Sequence, residues 1–105
     1  MLHNKLVRDN IIKKIESNWE KAKRHTAGEA EFELKLLGKL VEESIELQDS
    51  QDIEELKKEI ADVLEVTEEI IKFYWFNTEE IKKIQDEKRE KNWWFSKKII
   101  LEETE

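Results

Sequence analysis

Almost nothing in this chain of 105 residues can stop a helix: it contains no proline and only two glycines. Those are the residues that most reliably interrupt regular segments, so long helices are expected and a sheet joined by tight turns is not. The length leaves room for one domain, at roughly 100–200 residues apiece, and residues 1–105 are expected to form it. Four tryptophans, four phenylalanines and a dense set of Ile, Leu and Val supply a core, although 43% of positions are charged. So small a core is marginal alone, and the expectation is an all-α antiparallel bundle of about four helices, completed by homodimerisation.

Composition also narrows the function. No stretch approaches the roughly 20 apolar residues of a spanning helix, so no membrane partner is expected. A net charge of −7 repels a phosphate backbone, which argues against a nucleic-acid polymer as partner. Without cysteine there is no disulfide framework, thiolate zinc site or cysteine nucleophile. The N-terminus has no apolar signal core, which points to the cytoplasm. Charge is unevenly placed: residues 1–28 carry a net +4, residues 29–71 a net −11, and residues 72–105 balance. An acidic centre beside a basic start suits a cation and an anion that arrives with it.

Helical periodicity gives four segments. Asp9-Asn10 can cap the first, whose face would be Ile11, Ile12, Ile15, Trp19 and Ala22. Arg24 to Gly28 breaks the pattern as a loop, with His25 at the surface. The second segment, about Glu29 to Asp49, turns Phe32, Leu36, Leu37, Leu40, Val41 and Leu47 inward. Asp52-Ile53-Glu54-Glu55 has the form of a capping box and opens a third. Its stripe comprises Ile53, Leu56, Ile60, Val63 and Leu64, then Thr67, Ile70, Ile71 and Tyr74. Asn77-Thr78-Glu79-Glu80 repeats the capping signal before a shorter fourth helix with Ile81 and Ile84. The apolar end, Trp93 to Phe95 and Ile99 to Leu101, has no helical phase and reads as an extended arm. The short link around Ser50–Asp52 folds the second and third helices into an antiparallel hairpin.

Acids interrupt this pattern in two places. At about 100° per residue, Glu43 falls beside the inward stripe of the second helix, with Glu46 one turn on. Glu59 falls inside the seam of the third helix, with Asp62 flanking it, whereas Glu65 and Glu68 point away. The hairpin brings Glu43 level with Asp62 and Glu46 level with Glu59, across axes about 8–10 Å apart. Four carboxylates there cannot all stay ionised without a counter-charge, and their oxygens suit Mg²⁺ or Mn²⁺ better than zinc. The same pattern fits a protonated or lysine-paired cluster, or acids at a bundle rim.

Glu43-Ser44-Ile45-Glu46, followed after twelve residues by Glu59-Ile60-Ala61-Asp62, resembles the ExxE…ExxD signature of the MazG-like all-α nucleoside triphosphate pyrophosphohydrolases. Lys5-Leu6-Val7-Arg8-Asp9 is similar to the KLVRD opening of a small house-cleaning branch of that superfamily. Lys39 to Glu43 resembles its KLxEE run, Asp62 to Val66 its DxxEV run, and Ile99 to Glu103 its RIxLEE end. The resemblance implies a helical homodimer or higher oligomer that uses Mg²⁺ to cleave nucleoside triphosphates, or nucleotides such as phosphoribosyl-ATP, to the monophosphate and pyrophosphate. It implies Glu43, Glu46, Glu59 and Asp62 as metal ligands, and Lys5, Arg8 and Lys39 as phosphate-binding groups. Glu42, beside the ligands, is positioned to accept a proton from an attacking water, or is a solvated helix residue. Two features depart from the family. Asn10 follows KLVRD where a lysine and proline are usual, and Asn92-Trp93-Trp94-Phe95 replaces an RGGF segment. Trp93 is then a candidate for stacking on a base or ribose, or else interface core, with Lys88, Arg89 and Lys91 supplying positive charge. The alternative is a catalytically silent helical dimerisation or partner-binding module that keeps the fold.

Overall fold

The structure, a computed structural model, describes residues 2–105. It is all-helical: α1 is Ile11–Ser17, α2 is Glu29–Gln48, α3 is Ile53–Phe73 and α4 is Thr78–Asn92, with no strand among the described residues. No helix among them is long and apolar enough to cross a membrane. The chain divides into two compact units, one ending at Tyr74 and the other running from Trp75 to Glu105.

In the first unit α2 and α3 pack as a hairpin. The turn between them is fixed by side chains written into the sequence. Asp52 adopts an extended backbone and its carboxylate accepts from the Glu55 amide at 2.8 Å. The Glu55 carboxylate in turn accepts from the Gln51 amide at 3.4 Å. A cap of this kind holds a helix start by roughly 1 kcal/mol, and here it sets where α3 begins and therefore its register against α2. Among the described residues Leu36 and Val66 are the buried apolar ones. Phe32 and Phe73 close the far end of the seam with ring centroids 5.5 Å apart.

The N-terminal segment is tied to this hairpin at two points. Arg8 donates to Asp62 at 2.9 Å, and the Lys35 ammonium donates to the Asn4 carbonyl at 2.9 Å. Helix α1 is shorter than its periodicity suggests. It ends at Ser17, and the Asn18 and Trp19 amides turn back to the carbonyls of Ile15 and Glu16 at 3.1 Å. Trp19 then sits at φ 65° and is 98% exposed, so it does not extend the apolar face of α1. Three β-branched isoleucines in seven positions make a weak helix former, and so short a helix has little cooperativity to carry it further. Asn10 stands at its start but makes no side-chain cap hydrogen bond.

The apolar stripes of α2 and α3 are also wider than their common seam. Phe32, Leu40, Leu47, Leu56, Val63 and Ile70 are half-buried within it. Leu37 and Val41 of α2, and Ile53, Ile60, Leu64 and Thr67 of α3, are exposed instead of inward. One helix–helix contact covers only part of a broad stripe, and the remainder faces out.

In the second unit Asn77 caps α4 by accepting from the Glu79 amide at 2.8 Å. Ile81 and Ile84 are exposed, and residues 99–105 have no regular secondary structure. Arg89 lies 4.1 Å over the Trp94 ring, and Lys97 lies 5.1 Å from that of Trp93.

Candidate metal centre

In the half of the hairpin nearer its turn, α2 contributes Glu43 and Glu46 while α3 contributes Glu59 and Asp62. The i, i+3 spacing on each helix keeps the members of a pair on one side. Glu43 is buried at 6% exposure, Glu59 is half-buried and Glu46 is exposed. One carboxylate oxygen from each of these three lies within 4.8 Å of the others. Glu65 and Glu68 are exposed, as their phase requires.

The electrostatics of this set are not closed by the chain itself. Lys39 sits 3.4 Å from Glu43 Oε1 and 3.4 Å from Glu42 Oε2, leaning across one turn of α2 toward both. Oε2 of Glu43 and Oε2 of Glu59 are buried without a hydrogen-bond partner. An unpartnered buried carboxylate oxygen is among the costlier features a fold can keep. The Glu43 carboxyl is accordingly pushed above its ordinary range. Burial is the main cause, the adjoining Glu46 carboxylate adds to it, and Lys39 only partly offsets it.

Asp62 is not part of the three-carboxylate set. Its Oδ1 accepts from Arg8 Nη2 at 2.9 Å, although its charge still helps to raise Glu43. The structure thus pairs a residue expected to bind metal with one expected to bind phosphate. Glu42 is half-buried and turned toward Lys39, and Lys5 is exposed. Lys88, Lys91 and Trp93 belong to the second unit, where all three are exposed. The Arg8–Asp62 pair and the Lys35–Asn4 tether carry no sequence signal, because they join positions 54 and 31 apart by tertiary placement alone.

The donor set fits a hard divalent cation. It is all oxygen, three carboxylates converge, and two of the three each carry a buried oxygen that no group of the chain satisfies. Comparison with protein-family models, curated proteins and solved structures finds no match.

Proposed function

We propose that this chain is a Mg²⁺-dependent nucleotide pyrophosphohydrolase. It cleaves nucleoside triphosphates or related nucleotides to the monophosphate and pyrophosphate, in the cytoplasm and as a homodimer or higher homo-oligomer. The observation that carries the reading is the convergence of Glu43, Glu46 and Glu59 across the hairpin, with one buried, unpartnered oxygen on each of Glu43 and Glu59. The ordered acidic half-motifs and the KLVRD-like start support it from the sequence.

Glu43, Glu46 and Glu59 would hold the ion. Bound Mg²⁺, or Mn²⁺, supplies neutralisation of phosphate charge and a lowered pKa for an attacking water. Lys39 pairs with Glu43 and Glu42, and its ammonium would be the group to meet a phosphate oxygen at the edge of the cluster. Glu42, held toward Lys39 beside the cluster, would be the group to take up the proton of that water. Release of Asp62 from Arg8 would give the site a fourth carboxylate and free a guanidinium, whose planar fork suits phosphate. Trp93, with Lys88 and Lys91, remains the candidate for contact with base or sugar. Phosphoryl chemistry asks mainly for positioning and electrostatics, so no serine or cysteine nucleophile is required.

One observation favours the silent module instead: Arg8 and Asp62 neutralise each other and leave neither free. Pyrophosphate release from a panel of standard and damaged triphosphates, with and without Mg²⁺, separates the two. Mg²⁺-dependent release from at least one substrate is expected. No release across the panel, by protein shown to bind the ion, would leave the silent module standing.

A further inference from the structure

The N-terminal segment is seated beside the acid cluster by groups that belong to different helices. Lys35 of α2 donates to the Asn4 carbonyl at 2.9 Å, and Arg8 donates to Asp62 of α3 at 2.9 Å. Leu6 and Val7, between these anchors, are half-buried, whereas Asn4, Lys5 and Arg8 are exposed. Lys35 precedes Glu43 by eight residues, about 12 Å along α2. The four steps from Asn4 to Arg8 span at most roughly 14 Å. The segment is therefore a strap that starts two turns of α2 away from the cluster and reaches its edge at Asp62. Apolar seating holds its middle, and a polar fastening holds each end.

The fastening at the cluster end uses a carboxylate that the cluster lacks. Asp62 follows Glu59 by three positions, so it lies on the same side of α3, and its charge bears on Glu43. Yet the converging set is Glu43, Glu46 and Glu59, while Asp62 Oδ1 is turned to Arg8. Two members of that set each keep a buried oxygen that no group of the chain satisfies. The Arg8–Asp62 pair is also easy to open. Its side chains are 60% and 39% exposed, and an ion pair so placed favours its closed form by no more than about fivefold. A ligand that prefers either partner alone by more than that factor undoes it. Because Leu6 and Val7 seat the strap independently of the pair, opening it bares the guanidinium without carrying it away.

We propose that the Arg8–Asp62 pair is a clasp that couples the filling of the acid cluster to the arrival of a phosphate chain. A divalent cation draws Asp62 into the cluster and releases Arg8. A phosphate chain takes Arg8 and releases Asp62 to the cation. Both ligands undo the same pair, so each raises the affinity for the other by an equal factor, in addition to what they gain by touching. The proposal rests on the metal reading above and adds to it how the site is regulated. With the clasp closed, a lone cation meets three carboxylates and a lone anion meets no bare guanidinium, so the site favours the two together.

The test is a pair of double-mutant cycles read by calorimetry on the full chain at fixed ionic strength. Arg8→Ala should bind Mg²⁺ more tightly than the parent by about two- to fivefold. Asp62→Asn should weaken Mg²⁺ binding more in the Arg8→Ala background than in the parent, by that same factor. Charges acting only through their general field would give equal losses in both backgrounds. The mirror cycle uses inorganic pyrophosphate in EDTA, where Arg8→Ala should cost more in the Asp62→Asn background than in the parent. A third reading leaves both partners in place. The chain has three arginines, and the Nε–H signal of the ¹⁵N-labelled parent that is missing from Arg8→Lys belongs to Arg8. On addition of Mg²⁺ to the parent it should move toward its position in Asp62→Asn. Mg²⁺ binding with additive cycles, or with an unmoved Arg8 signal, overturns the clasp and leaves the metal reading standing. No Mg²⁺ binding by the parent overturns both.

Discussion

Helix α4 and the α2–α3 hairpin draw on the same charged alphabet and use it in opposite ways. On α4 acids and bases alternate at helical spacing. Lys82 and Arg89 both reach Asp86, at 3.3 Å, and the groups are largely exposed. Those charges are satisfied locally and by water. Between residues 29 and 71 there are fifteen acids and four bases, so local pairing runs out. The seam then holds Glu43 and Glu59 with one oxygen each left over. What separates a solvated face from a candidate site is the shortage of partners where water is excluded, not the amount of charge.

The largest expected effect tests that distinction directly. Glu59→Gln keeps the shape of the side chain and removes a buried charge; it should lower Mg²⁺-dependent pyrophosphate release by at least about 100-fold. Glu65→Gln on the outer face of α3 and Glu87→Gln on α4 should each stay within a factor of about two. Similar losses in all three would mean that burial does not mark the site.

Next in size is the response to metal. An ion that binds only the folded chain at a hundredfold excess over Kd stabilises it by about 2.7 kcal/mol. For a domain of this length that is a rise in Tm of about 10–20 °C, reversed by EDTA. Na⁺ or K⁺ at matched ionic strength should not reproduce it. The Glu43→Gln/Glu59→Gln variant should lose the shift altogether.

A smaller effect follows from the raised carboxyl of Glu43. Its folded pKa lies above its unfolded value, so ionising it on the way to neutral pH destabilises the metal-free fold. The associated stability is fully present below pH about 4.5 and is lost as pH rises through the folded pKa. Without metal, Glu43→Gln should therefore be more stable than the parent at pH 7, and the gap should close on acidification. Chemical denaturation at a series of pH values reads this, and a gap that widens toward acid would reverse the sign of the argument. The smallest effect is on α4, where Lys82→Ala should change stability by less than about 0.5 kcal/mol.

These contrasts also show what could be seen in the sequence. The Asp52 and Asn77 caps are local, contained within three or four residues, and the sequence displays them directly. The burial of Glu43 and partial burial of Glu59 follow from phase, because each sits among residues whose inward direction is plain. Trp19 and the outward half of each stripe are different. Periodicity reports that a residue is apolar and on a face, but not whether a neighbour is there to cover it. The Arg8–Asp62 pair is further out of reach, since nothing local tells an arginine at the start of the chain which of fifteen central acids it will meet.

The tryptophans have a practical consequence. Trp19, Trp75, Trp93 and Trp94 are 98%, 93%, 67% and 66% exposed, and the first three take positive φ just past or at the ends of α1, α3 and α4. With glycine scarce, indoles occupy positions that usually fall to a residue without a side chain. Every indole is therefore already largely hydrated before the chain unfolds. Intrinsic emission should be red-shifted in the folded state and change little through denaturation, leaving the melt to be followed by the helical signal. The same indoles become sensitive optical probes of whatever dries them: a nucleotide base stacking on Trp93 would appear as a blue shift or quenching against an otherwise flat background.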